Sequence, residues 1–408
     1  MHPLIDKICQ EQVAFDEIVA SWSGLDLGLL RELSATEQDS EWHAEGDVGT
    51  HTGMVLAETY RELAESAADL DESRKRILLL SAIFHDIAKP LVTTRRTIKG
   101  RERVTSSRHA ERGRSWLAYR LGHLGLPASE IAGILGLVGY HHHPRRLVTN
   151  DEPHPHWRRV AREADVRLLY HLECADLRGR WCQDLAEQLE IIELFRAECE
   201  MLGLWENKNL WSEWEHELDS ELTTLTEPER SRAISLVISE GEQGRAHSPW
   251  NAWMRSHDTR HSDKTFTLLV GVSGSGKSTW VGQQPDDTTV IRLDDIRAEM
   301  TGDVSNQKHN GRVAQLAKER LRAALRQRGN VIWDGTNLRE DRRRSLLNIA
   351  EDYGAFTRIV VFQTTTETLH QRNRVRDKPI PMDVLERQIE RMQWPTRVEA
   401  HELVVVSN

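Results

Sequence analysis

Apolar residues in the first half of the chain recur at three- and four-residue spacing, the period of a helix with one buried face. RKRILLLSAIFHDIAK (74–89) and READVRLLYHLECADLRGR (162–180) are the strongest cases. No alternating strand pattern competes there, so residues 1–200 are expected to form an all-α helical bundle. Residues 201–262 stay helical in pattern but turn polar and tryptophan-rich (Trp205, Trp211, Trp214, Trp250, Trp253) before the irregular RSHDTRHSDK. A connecting module and linker is the expectation for that stretch. The texture then changes: KTFTLLVGV, TTVIRLDD, GNVIWDGT and FTRIVVFQ are short β-branched runs separated by helical stretches. Runs of that kind predict an α/β domain with a parallel sheet over residues 263–408. A chain of 408 residues is also too long for one hydrophobic core, so several domains are expected.

Composition narrows the class. Hydrophobic residues make up 38% and charged residues 29%. No apolar run approaches the ~18 residues a membrane span needs. MHPLIDKICQEQVAF lacks the basic-then-apolar pattern of a secretory signal. The cysteines (Cys9, Cys174, Cys182, Cys199) form no CxxC pair, which fits a reducing compartment, and a cytoplasmic location is expected. Net charge is −10, but from Lys264 onward 23 Lys plus Arg face 19 Asp plus Glu, net +4, leaving −14 for residues 1–263. A modestly basic second half suits a phosphate-rich ligand.

The sharpest motif is GVSGSGKS (271–278), which satisfies G-x-x-x-x-G-K-[ST] between an apolar strand and a helix. Gly271, Ser273, Gly274, Ser275, Gly276 and Thr279 are expected to wrap main-chain amides around phosphates, Lys277 to reach the β and γ phosphates, and the Ser278 hydroxyl to ligate Mg²⁺. ATP with Mg²⁺ is therefore the expected ligand. RLDDIR puts Asp294 and Asp295 just past the strand TTVIRL, at the sheet edge where ligands bind. GNVIWD ends at Asp334, a position suited to a second Mg²⁺ contact. In HQRNRVR, Arg372 and Arg376 would share one helical face and close over a transferring phosphoryl group.

A second constellation lies upstream. Leu78, Ala82 and Asp86 follow one another at four-residue spacing, as do Leu168, Leu172 and Asp176, and a carboxylate on a buried stripe is costly unless paired or metal-bound. With His51 and His85 they make two imidazoles and two carboxylates from three helices, a mixed set suited to Mn, Fe, Co, Ni or Zn. His109 and one of the His141-His142-His143 run could supply a second metal or substrate contacts. His142 is favoured there, with His141 and His143 expected at the surface. Lys89, three residues beyond Asp86, could pair with that acid or with a bound phosphate. His43 in EWHAEGD has no assigned role.

GVSGSGKSTW, RLDDIR, DGTNLREDRR and QRNRVRDKPIPMDVLERQ occur in an order that resembles the phage-type 5′-OH polynucleotide kinases. The resemblance implies that Asp294 is the general base on the 5′-hydroxyl and that Arg297 holds the acceptor's adjacent phosphate. It also implies that Arg372 and Arg376 are lid arginines on the donor phosphates. Leu293 stands where that family carries a polar residue. The order H…HD…H…H…D, with WHAEGDVGTHT and HDIAKP, resembles the HD phosphohydrolases, especially the HD domains of CCA-adding enzymes. That likeness implies hydrolysis at phosphorus, with one or two ions acidifying a water. Together the two resemble the bifunctional HD–polynucleotide kinase family. Its members imply RNA or DNA ends as substrate, cyclic or terminal phosphates as the hydrolase target, no membrane, and a ligase acting downstream. The alternative is an HD nucleotidase fused to a small-molecule kinase.

Overall fold

A computed structural model describes the chain except residues 23, 207–210, 303–308, 328, 377 and 408. It divides into two compact units, residues 1–210 and 211–408.

The first unit is helical, and an aspartate starts each of the three helices that carry His51, lead into His85 and Asp86, and carry Asp176. Asp47 accepts from Thr50 N at 2.8 Å ahead of helix Val48–Ala64, and Asp71 accepts from Arg74 N at 2.9 Å ahead of Glu72–Phe84. Asp165 accepts from Arg167 N and Leu168 N ahead of Val166–Arg178. A cap of this type satisfies amides that have no partner inside the helix, and is worth about 1 kcal/mol. The helices meet over one core in which Val55, Leu78, Ala82, Leu137, Leu169, Leu172 and Ala175 are fully buried. Each buried Val or Leu among them contributes about 1.5–3 kcal/mol, so the core fixes the helix ends that bear the histidines.

The expectation that residues 1–200 hold no strand is corrected. Strands β1 (Thr94–Ile98) and β2 (Arg101–Thr105) form an exposed antiparallel hairpin. Lys99 and Gly100 turn it with φ of 51° and 79°, and a two-residue turn with both φ positive suits the twist of a hairpin. Helical periodicity misses it because its ten strand residues include only two aliphatics, Ile98 and Val104.

The second unit contains a five-stranded all-parallel sheet, order β4-β5-β3-β6-β7, from β3 (Thr265–Val270), β4 (Thr289–Arg292), β5 (Asn330–Asp334), β6 (Phe356–Gln363) and β7 (Glu402–Ser407). Four of these are the expected β-branched runs, and β7 (ELVVVS) adds an edge. The α/β class is as expected from the sequence. Leu268, Leu269, Val270, Val360, Val361 and Phe362 are fully buried, as a sheet covered on both faces requires. Helices between Ser212 and Arg260 belong to this unit and gather their own cluster around Leu218, Leu222, Ala233 and Ala252. Arg232 fastens them to the sheet, donating to the carbonyls of Thr259, Ser262 and Lys264 and to Thr265 Oγ1, with its guanidinium 4.7 Å from the Phe356 ring centre.

Candidate active sites

The expected metal-binding residues of the first unit converge. His51 lies in the first turn of Val48–Ala64, and its Nε2 is 2.9 Å from Asp176 Oδ1 and 3.7 Å from Asp86 Oδ2. His85 Nε2 is 3.4 Å from His51 Nε2 and 3.2 Å from Asp86 Oδ2. The other oxygen of the same carboxylate, Asp86 Oδ1, is 3.0 Å from His109 Nε2, which is in turn 3.3 Å from His141 Nε2 and 3.1 Å from His142 Nε2. Asp86 therefore gives one oxygen to each of two imidazole clusters.

Two details of the sequence reading are corrected here. The helix carrying Leu78 and Ala82 closes at Phe84, so His85 and Asp86 stand at its end rather than inside it. His141, expected at the surface, is fully buried and joins the cluster beside His142. It follows the last residue of helix Ala128–Tyr140 in helical conformation, which turns its ring inward. His143 is not in that group; its ring lies 4.5 Å from that of Tyr140, tilted by 45°.

The donor set fits a divalent cation. His85, His109 and His141 each hold Nδ1 at 2.8–2.9 Å from the carbonyl three residues back, of Ala82, Ser106 and Val138. A carbonyl only accepts, so Nδ1 carries the proton and Nε2 presents a bare lone pair. Lone pairs facing one another at 3.3–3.4 Å repel unless a positive charge lies among them. The electrostatics agree. Burial disfavours charge on His51, yet Asp176 and Glu45 on its two nitrogens outweigh that and raise its pKa. Burial would push Asp86 upward, but the Lys89 ammonium, with the imidazoles of His85 and His109 beside the carboxylate, holds it well below the carboxylate range. Burial lowers His141 to about 3, keeping that ring neutral.

An open cleft of about 290 Å³ lies over the cluster. Lys89, Arg145 and Arg180 line it with Trp42 and His142. Lys89 Nζ bonds Asp86 Oδ2 at 2.7 Å and Gln38 Oε1 at 2.6 Å, the pairing expected from its spacing. Arg180 pairs with Asp176. Glu45, Glu173, Arg145 and Arg180 were not singled out by sequence. Glu173 sits three residues before Asp176 on the same helix and Arg180 four after it, just past the helix end, and that spacing was the available signal. Glu45 bonds His43 Nδ1 at 2.8 Å, which gives His43 a place behind His51. Burial, reinforced by Asp176, pushes Glu173 up to about 8.

In the second unit the phosphate loop runs from the end of β3 into helix Lys277–Val281. Gly274 and Gly276 adopt φ of 85° and 102°, which an L side chain rarely tolerates. Lys277 Nζ donates to the carbonyls of Gly271 and Val272 at 2.9 and 2.8 Å. Desolvation, with the charge of Arg376 and against that of Asp334, brings Lys277 down to about 8. Ser273 N donates to Gln388 Oε1 at 2.8 Å, Ser275 is buried, and Ser278 and Thr279 are exposed. Asp334 ends β5 and receives Arg292 Nε at 3.3 Å. Asp294 and Arg297 pair on helix Leu293–Thr301, with the Asp294 side chain 71% exposed.

Arg372 reaches the loop, its Nη1 3.4 Å from the Gly274 carbonyl. It does not share a helix with Arg376, which corrects the spacing argument: helix Thr366–Arg374 stops two residues short. Asn373 stops it by bonding both Ile380 N and Ile380 O, and prolines 379 and 381 follow. Arg376 still acts on Lys277 electrostatically.

Among the described residues no helix is long and apolar enough to cross a membrane. Residues 48–169 match the HD domain family, and residues 266–395 match the AAA domain family in its P-loop kinase-like form. A chain in a solved structure titled "Structure of Pnkp1/Rnl/Hen1 complex" is 26% identical over a match covering 30% of this chain and 42% of that one, at a TM-score of 0.26. The match spans less than half the length of that chain. With His51, His85, Asp86, His109, His141 and His142 inside the first matched segment, Asp176 just past its end and the phosphate loop inside the second, the chain joins an HD domain to a P-loop kinase-like domain.

Proposed function

We propose that the chain heals broken nucleic-acid ends, RNA or DNA. In this reading the HD domain hydrolyses a 2′,3′-cyclic phosphate or a terminal 2′- or 3′-phosphate, and the P-loop domain transfers the γ-phosphate of ATP to a 5′-hydroxyl. The observation that carries it is the joining of two complementary donor sets in one chain. One gathers bare imidazole nitrogens and carboxylates under a cationic cleft. The other sets a phosphate loop near an exposed carboxylate with its own arginine.

In the hydrolase site His51, His85, Asp86 and Asp176 would hold one divalent ion, and His109, His141, His142 and Asp86 a second. Such ions acidify water and neutralise phosphate oxygens. Lys89, Arg145 and Arg180 line the cleft and add donors for those oxygens. Glu45 orients His51 through Nδ1.

In the kinase site Gly271 to Thr279 hold the triphosphate, Ser278 and Asp334 serve Mg²⁺, and Lys277 turns from the loop carbonyls to the phosphates. Asp294 takes the proton of the attacking 5′-hydroxyl while Arg297 holds the acceptor's phosphate, and Arg372 and Arg376 neutralise charge on the donor. A ligase would use both products.

The test is an oligonucleotide with a 5′-hydroxyl and a 2′,3′-cyclic phosphate, incubated with ATP, Mg²⁺ and Mn²⁺ and weighed by mass spectrometry. Gain of phosphate at one end and opening or loss of it at the other is expected. Phosphorylation of free nucleosides with both oligonucleotide ends untouched would sink the reading and favour a small-molecule kinase.

A further inference from the structure

The cleft over the histidine–aspartate clusters continues onto the β1–β2 hairpin. Val104 and Ser106 line the cleft, and the Ser106 carbonyl holds His109 Nδ1 at 2.8 Å. Residues 1–263 carry net −14, yet residues 94–105 hold five cations, Arg95, Arg96, Lys99, Arg101 and Arg103, against the single acid Glu102. The register sets Arg96 opposite Arg103 and Ile98 opposite Arg101, so three arginines share one face of the ribbon. Like charges facing each other across a ladder repel.

Acids relieve only part of this. Arg103 bonds Asp39 at 2.7 Å and Glu41 at 2.5 Å, and Arg95 bonds Glu37 through both ends of its fork. Arg96, Lys99 and Arg101 are exposed and make no ion pair with an acid among the described residues. Beside the arm, on the rim of the same cleft, Trp42 leaves 40% of its surface in solvent. Unpaired cations toward the outer end of a ribbon whose inner end lines the cleft, with an aromatic ring on the cleft's rim, match a flexible polyanion bearing stackable bases. The cations take backbone charge, and the indole takes a base face.

We infer that the hairpin and Trp42 form the strand-binding arm of the hydrolase site, holding single-stranded nucleic acid whose terminal phosphate lies in the cleft. This deepens the end-healing reading and rests on it. A five-residue strand reaches about 17 Å, so the arm touches backbone several nucleotides before the end. A mononucleotide has no use for it.

The test uses the full chain with Arg96, Lys99 and Arg101 all replaced by Ala, and Mn²⁺ present. Substrates are a single-stranded decamer ending in a 2′,3′-cyclic phosphate and a 2′,3′-cyclic mononucleotide. The KM for the decamer should rise about tenfold or more, and the slope of log(kcat/KM) against log[salt] should flatten by about 2, as loss of three single-strand phosphate contacts demands. Mononucleotide hydrolysis should be unchanged, which also shows that the variant folds. Trp42→Ala should raise the decamer KM, with Trp42→Phe restoring most of it. If the wild type hydrolyses the decamer and the triple variant matches it in KM and salt slope, the arm is wrong and end healing stands. If the wild type accepts the mononucleotide and leaves the decamer alone, the end-healing reading fails and takes the arm with it.

Discussion

A proton on the far nitrogen decides what each cluster histidine can do. His85, His109 and His141 commit Nδ1 to a carbonyl of their own chain turn, and that single bond leaves Nε2 free to bind an ion. Replacing His85 or Asp86 by Ala should lower phosphoester hydrolysis more than ~100-fold and leave 5′ phosphorylation intact, because the donors belong to one site alone. Lys277→Ala should do the reverse, and end-labelling beside release of phosphate separates the two. Loss of both activities in either variant would contradict independent centres. At this scale the sequence pointed to Asp86 and Asp176, carboxylates that end apolar rows, and to His51 and His85 as members of the same set. It did not reveal His141, because three adjacent histidines offer no periodicity and only the helix end at Tyr140 decides which ring turns inward. Glu45 and Arg145 escaped for a similar reason: charged residues in polar segments look like solvated surface until a neighbour from elsewhere in the chain is known.

Elements position these groups, and their ends matter more than their middles. Gly179, just past helix Val166–Arg178, gives its carbonyl to His51 Nδ1 at 3.1 Å. A Cβ there would lie 2.8 Å from both Val55 N and Val55 Cγ2 on the His51 helix. Gly179→Ala should therefore push two helices apart, cost about 1–3 kcal/mol in thermal unfolding, and weaken Mn²⁺ binding about 10–100-fold. An unchanged melting temperature would show that the close approach is relieved elsewhere. Helices with strong apolar stripes and the β-branched strands of the sheet were legible from periodicity. The hairpin was not, since exposed strands have no buried face to set a pattern. Nor was the break between Arg372 and Arg376, which depends on Asn373 bonding the backbone seven residues ahead.

For the molecule as a whole, the two compact units carry distinct liabilities. In the second, His401 is 6% exposed, stacks on Phe356, and accepts from Thr357 N through Nδ1 at 2.9 Å. Burial lowers its pKa from 6.5 to about 4. Between those values the unfolded chain binds more protons than the folded one. Stability is therefore full above pH 6.5 and falls as pH drops toward 4, by at most roughly 3 kcal/mol from this group. His401→Asn, whose amide oxygen can replace Nδ1 as acceptor, should flatten that part of the pH profile in denaturant titrations, and an unaltered profile would place the acid sensitivity on other groups. Domain texture along the chain marks where the sheet begins near Lys264, but gives no sign that the helices before it fold with it, because Arg232 reaches the sheet through backbone carbonyls that have no signature in sequence. The practical consequence concerns dissection. A fragment cut at 263 keeps every strand and the phosphate loop but strips the guanidinium off Phe356, and it should melt well below a fragment cut at 211 and clump more readily on heating.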